Sequence, residues 1–136
     1  MCRYSLVCLL CLCIAFLSCQ TKITPKYVSS NDLEKIINEK APLGTSVSDV
    51  RKFIDSWEVN SIKATLLRYT EGNPNQLITP DDSNLIVSSY MEVSFPQIYR
   101  EEHFLYATSF SLYILFYFDK SGHLIDHKIN MIGVEI

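Results

Sequence analysis

The 136-residue sequence predicts an α+β fold, and three observations carry that expectation. Two segments with helical apolar spacing come first, opening at Asn31 and Ser46, each with a capping signature. Segments with period-two alternation or continuous apolar character follow, the clearest spanning 85–95. Helices gathered ahead of the strands, with no alternation between the two, predict an antiparallel sheet with helices on one face. The expected architecture is therefore two N-terminal helices packed on one face of an antiparallel sheet of about four strands. At this length a single domain, 31–136, is the default.

The elements follow in order. Asn31 and Glu34 have capping-box spacing, and Leu33, Ile36 and Ile37 form a stripe that predicts a helix to about Lys40. Ala41-Pro42-Leu43-Gly44 stops it, because proline and glycine break helical runs. Ser46 and Asp49 repeat the signature, and Val47, Val50, Phe53, Ile54 and Trp57 line one face of a second helix. Trp57, the only tryptophan, is expected as a core anchor. The first strand is expected over 62–69, followed by a loop over 70–84 rich in turn chemistry. The strand over 85–95 is expected to end at Pro96, with 97–105 a loop or short irregular helix. The most apolar strand, 109–118, joins 123–134 through Asp119-Lys120-Ser121-Gly122 as a β-hairpin.

Sorting the strand residues by parity gives each sheet face. Ile62, Ala64 and Leu66, the odd positions of 85–95, and the even positions of 110–118 are expected to face the helices. Lys63, Thr65, Leu67 and Tyr69 then share the other face with Tyr90, Glu92, Tyr113, Leu115, Tyr117, Asp126, Lys128 and Asn130. A helix-free face bearing four tyrosines reads as a protein-binding surface, since tyrosine supplies contact area with a polar tip. The candidate partner-binding residues are Tyr69, Tyr90, Tyr113, Leu115 and Tyr117. The alternative is that tyrosines simply cover an exposed sheet, where aromatics are favoured.

The N-terminus reads as an address. Arg3, an unbroken apolar run over 6–17, and Ser18-Cys19 supply the three parts of a secretory signal over 1–18. That run is too short to span a membrane, which takes roughly 20 apolar residues. All five cysteines lie at or before Cys19, so neither a disulfide framework nor a thiolate zinc site fits the folded domain. From Gln20 to Ser29 the chain is polar, contains Pro25 and reads as a tether, giving 19–30 as anchor and linker.

Other chemistries find little footing. Twelve basic and 15 acidic residues give a net charge of −3, against the basic face that nucleic-acid binding requires. His123 and His127 lie about 13 Å apart on a strand, too far to share a zinc ion, and His103 sits in a separate loop. There is no nucleophile elbow or phosphate-cradling glycine loop, and Asp81-Asp82 and Glu101-Glu102 read as solvated acidic pairs. No catalytic residue, metal site or cofactor is expected.

Phe16-Leu17-Ser18-Cys19 resembles a bacterial lipobox, in which Cys19 would receive diacylglycerol after cleavage before it. Phe16 and Leu17 depart from the usual occupants, which leaves a soluble secreted or periplasmic protein as the alternative. By the same resemblance Gln20, where inner-membrane retention would place Asp, implies an outer-membrane protein facing the periplasm. Pro42-Leu43-Gly44-Thr45-Ser46-Val47-Ser48-Asp49-Val50 and Phe116-Tyr117-Phe118-Asp119-Lys120-Ser121-Gly122-His123-Leu124 resemble the small envelope lipoproteins of the BamE/SmpA type, and more broadly the β-lactamase-inhibitor-like fold. That resemblance implies a non-enzymatic domain that binds another envelope or periplasmic protein, as an assembly factor, inhibitor or immunity protein. The alternative is a structural or small-ligand-binding accessory of the envelope.

Overall fold

The computed structural model of the protein describes residues 29–72, 80, 84–102 and 106–135. The signal segment, Cys19, the tether up to residue 28, most of the 70–84 loop and His103 lie outside the described residues.

Two helices precede the strands in the described chain: α1, Ser30–Lys40, and α2, Val47–Ser56. The cap of α1 lies two residues before the expected one. Ser29 Oγ accepts from Asp32 N and donates to the Asp32 carboxylate. The cap of α2 is the expected Ser46, whose Oγ accepts from Asp49 N at 3.2 Å. Leu33 and Ile37 of α1 and Val50 and Ile54 of α2 are fully buried. Trp57, at the end of α2, stacks on Phe53 with ring centroids 4.6 Å apart and meets Phe95 edge-on at 5.0 Å, as a core anchor should.

The first predicted strand is divided. A two-residue hairpin, β1 (Glu58–Val59) with β2 (Ile62–Lys63), turns through Asn60 and Ser61, both at positive φ. After Ala64 the main sheet begins: β3 (Thr65–Glu71), β4 (Ser89–Glu102), β5 (Ala107–Phe118) and β6 (Leu124–Glu135), antiparallel in sequential order. The fold class is α+β, with a four-stranded antiparallel sheet and a two-stranded one beside it.

Two irregularities depart from the sequence expectation. Pro96 does not end the second long strand. Phe95 pairs with Leu112 and Tyr99 with Phe110, so Pro96, Gln97 and Ile98 together oppose Ser111. Proline is tolerated at such a bulge because no ladder hydrogen bond needs its missing N–H. Gln97 adopts φ 51° and donates its N–H to Ser111 Oγ, and the residues expected as a loop continue as strand to Glu102. At the other end, 85–88 is not strand.

The second irregularity lies in β3. Leu66 pairs with Val93 and Arg68 with Glu92, leaving Leu67 without an opposite residue. A bulge advances the alternation by one residue. Tyr69 therefore faces the helices, packed against the core, and not the opposite face where unbroken alternation had placed it. Arg51 of α2 sits 5.4 Å above its ring.

One core unites Leu33, Ile37, Val50, Ile54 and Trp57 with Met91, Val93, Phe95, Leu112, Ile114, Phe116 and Phe118. The loop before α2 is laced to the β5–β6 turn. Gly44 N donates to Leu124 O, Val47 N to Gly122 O and Leu124 N to Thr45 O. Gly122 turns the hairpin at φ 74°, a conformation glycine adopts without steric penalty. Among the described residues no helix is long and apolar enough to cross a membrane.

Candidate functional site

The sheet face turned away from both helices is ordered into three cross-strand rows. Thr70, Tyr90, Tyr117 and Asp126 form the row nearest the β5–β6 turn. Arg68, Glu92, Leu115 and Lys128 form the next, and Thr65, Ser94, Tyr113 and Asn130 the third. Successive rows lie about 6.8 Å apart, so alternate residues on each strand present one continuous surface.

The rows differ in access. Tyr90 and Tyr117 are 3% and 0% exposed, although neither belongs to the core between helices and sheet. Arg68 Nη1 approaches Tyr90 Oη at 3.5 Å and Arg68 Nε lies 3.9 Å from Glu92. The hydrogen bond to Tyr90, then the charge of Glu92, hold the guanidinium more firmly protonated. Tyr113 and Leu115 are half-buried and, with Glu92, Asn130, Met131 and Ile132, line a shallow cleft of about 430 Å³. The candidate residues thus divide three ways. Tyr113 and Leu115 are accessible on this face, Tyr90 and Tyr117 lie on it but are buried, and Tyr69 belongs to the opposite face. Cys19 lies outside the described residues.

A second cleft, of about 580 Å³, opens at the β5–β6 turn among Ser46, Ser48, Tyr69, Glu71, Ser89 and Asp119. Asp119 serves local structure there. Asp119 Oδ1 accepts backbone N–H bonds from His123 and Ser121, at 2.9 and 2.8 Å, which close the turn. Those bonds, His123 first, hold its carboxyl below the usual range. Asp49, one turn into α2, is likewise held low by hydrogen bonds from Lys52 and Ser46. Among the described residues no group of three or more histidine, cysteine, aspartate or glutamate side chains is placed to share a metal ion.

The bulges and the burial of Tyr90 and Tyr117 are what sequence reasoning missed. The bulges have no local signature, because they depend on which residues find partners across the sheet. Comparison with known proteins adds no assignment, since no family model, curated protein or solved structure matches the chain.

Proposed function

We propose that this protein is a membrane-anchored envelope lipoprotein whose non-catalytic domain binds another envelope or periplasmic protein through the sheet face turned away from α1 and α2. The observation that carries this reading is the cleft lined by Tyr113, Leu115, Met131 and Ile132 together with Glu92 and Asn130. An aromatic and an aliphatic side chain beside polar rim groups suit a protein contact, in which a few anchors carry most of the binding energy. Cys19 holds the domain to the membrane by lipid, and the tether sets its reach: roughly 35 Å for ten residues at most, at ~3.5 Å each. Outer-membrane placement facing the periplasm, and the BamE/SmpA-type kinship, belong to this proposal and rest on the sequence features that suggested them.

Two experiments test it. Affinity capture from envelopes with the full chain should lose its specific partner when Tyr113 and Leu115 are both changed to Ser. Tyr69→Ser, on the opposite face, should leave recovery intact. Undiminished capture by a correctly folded Tyr113/Leu115 variant would sink the binding-face assignment. Cys19→Ala should abolish labelling by a fatty-acid analogue, and persistent labelling would refute the anchor. A second reading, a small-ligand accessory, is favoured by the serine-rich cleft at the β5–β6 turn, which is the larger of the two.

A further inference from the structure

We propose that β6 pairs edge to edge with β6 of a second copy, antiparallel about a two-fold axis at Met131, to form a continuous eight-stranded sheet.

The argument starts from the two edges of the sheet. Among the described residues β3 and β6 are its outer strands. A free edge offers unpaired N–H and C=O groups to any other strand, and folded proteins guard such edges with short strands, charges, proline or bulges. β3 is guarded: seven residues long, bulged at Leu67, with Arg68 and Glu71 in it. β6 is guarded only in its first half, by the irregularity opposite Tyr117 and Phe118 and by Asp126 and Lys128. Its second half, Ile129-Asn130-Met131-Ile132-Gly133-Val134, has no charge, no proline and no bulge. Ile132 and Val134 are 51% and 56% exposed there.

The sequence of β6 selects a second copy as the occupant. With Met131 on the axis, each side chain meets one from the same sheet face, as antiparallel pairing demands. On the helix face, Ile129 opposes Gly133 and His127 opposes Glu135, a ring N–H donor against a carboxylate, twice by symmetry. On the other face, Asn130 opposes Ile132, and the aliphatic stem of Lys128 lies along Val134. Moving the axis to Asn130 sets Asp126 against Val134 and draws the irregular stretch near Ile125 into the ladder. Moving it to Ile132 sets Ile129 against Glu135. Of these three axes, Met131 is the one that sets Glu135 against His127 and leaves Asp126 outside the ladder.

The shape of the sheet agrees. At ~3.3 Å per residue β4 and β5 extend about 40–46 Å, whereas α1 and α2, at 1.5 Å per residue, cover about 15–17 Å. Beyond the helices Phe110 is half-buried, packed on Tyr99 at 5.6 Å and laid across Gly133. A Cβ on Gly133 would stand 2.7 Å from the Phe110 ring, so glycine is what lets this ring lie flat over β6. α1 borders the first half of β6, with Ser30 and Glu34 near His127 and Ile129. The two-fold operation brings Ile129 and α1 of the second copy beside that ring, which extends cover to the part of the sheet that α1 and α2 do not reach. A strand-to-strand interface is small beside a typical stable one, and anchoring both copies in one membrane would raise their effective concentration.

Cysteine cross-linking in the full chain tests the register. Residues on the axis lie about 4.5–5.5 Å apart between Cα atoms, inside the range a disulfide spans. With a copper-phenanthroline oxidant, Met131→Cys should give a reducible dimer well above the unsubstituted chain, which reports any contribution from the native cysteines. Two differently tagged copies, one Asn130→Cys and one Ile132→Cys, should join to each other and not to themselves. Ile132→Lys introduced with Met131→Cys should suppress the dimer while leaving the circular dichroism spectrum unchanged. Absence of both cross-links, maximal linking at another position, or indifference to Ile132→Lys would overturn the proposal. Ile132 also borders the Tyr113/Leu115 cleft, so the two readings are separated by readout. Cross-linking of the purified chain tests the edge, capture from envelopes by the Tyr113/Leu115 variant tests the face, and failure of one leaves the other to stand or fall separately.

Discussion

Deleting Leu67 distinguishes a bulged β3 from a regular one. Thr65 and Leu66 pair with Ser94 and Val93, while Arg68, Tyr69, Thr70 and Glu71 pair with Glu92, Met91, Tyr90 and Ser89. Leu67 is the residue to spare, 50% exposed, and its removal joins Leu66 to Arg68 with each remaining pair and face unchanged. In an unbulged strand the same deletion would rotate everything after it. Tyr69 would leave the core and Arg68 would turn toward it. Withdrawing on the order of 100 Å² of tyrosine surface at ~25 cal/mol per Å² costs about 2–3 kcal/mol. A guanidinium turned inward without a partner adds several kcal/mol more, so the unbulged case predicts a loss of at least ~4 kcal/mol. The bulged case predicts a change within about 1 kcal/mol, since only local twist and one half-exposed leucine are lost. Urea unfolding followed by Trp57 fluorescence reads the difference, and the slope should stay constant because the buried area does. A loss above about 3 kcal/mol, or a Tyr69→Ser substitution that becomes silent in the deleted chain, would refute the bulge.

Two further perturbations follow from the core and the turn. Trp57→Ala should destabilise by about 3–5 kcal/mol, through lost burial and the contacts with Phe53 and Phe95. Calorimetry should show the melting temperature falling by more than about 10 °C, and a fall of only a few degrees would mean the helices are held elsewhere. Asp119 has a folded-state pKa below its ordinary 3.8, so unfolding favours proton uptake there, and its stabilisation holds above that value and fades as pH drops through it. The melting-temperature difference between the unsubstituted chain and Asp119→Ala should therefore be constant near neutrality and shrink below about pH 4. A difference that persists or grows in acid would contradict the turn's dependence on the ionised carboxylate.

What was legible in the sequence is what local chemistry decides. Ser46 and Asp49 announce the start of α2 because the cap bond closes within one helical turn. Met91, Val93 and Phe95 announce the core face of β4 because the pleat alone sets their alternation. The hairpin at Asp119-Lys120-Ser121-Gly122 is equally local. The missed features are relations between strands. Pro96 reads as a terminator until Ser111 is seen to accept the Gln97 N–H on the facing strand. Leu67 looks like any strand residue until its neighbours find partners in β4 and it does not. Parity places Tyr90 and Tyr117 on the correct face but says nothing of their burial, so the binding reading rests on Tyr113 and Leu115 and not on four tyrosines.

The mismatch between long strands and short helices gives this fold two unlike halves. Near the β5–β6 turn, Met91, Val93, Ile114, Phe116 and Phe118 lie beneath α1 and α2, and hydrophobic burial stabilises the sheet there. Beyond the bulge at Pro96, β5 runs Thr108, Ser109, Phe110 and Ser111, one aromatic side chain among three hydroxyls, opposite Tyr99, Arg100 and Glu101 of β4. A two-stranded ribbon of that composition is marginal in water, and the third strand, β6, contributes the smallest side chain it could, at Gly133 beneath Phe110. This half is therefore stabilised mainly by its ladder of backbone hydrogen bonds and cross-strand contacts, and a ladder gains most from a further strand. The stretch of β6 without charge, proline or bulge lies along this half, with no further strand beside it among the described residues, whereas the guarded stretch of β6 lies beside α1. The part of the molecule that most needs another strand is thus the part whose sequence leaves room for one.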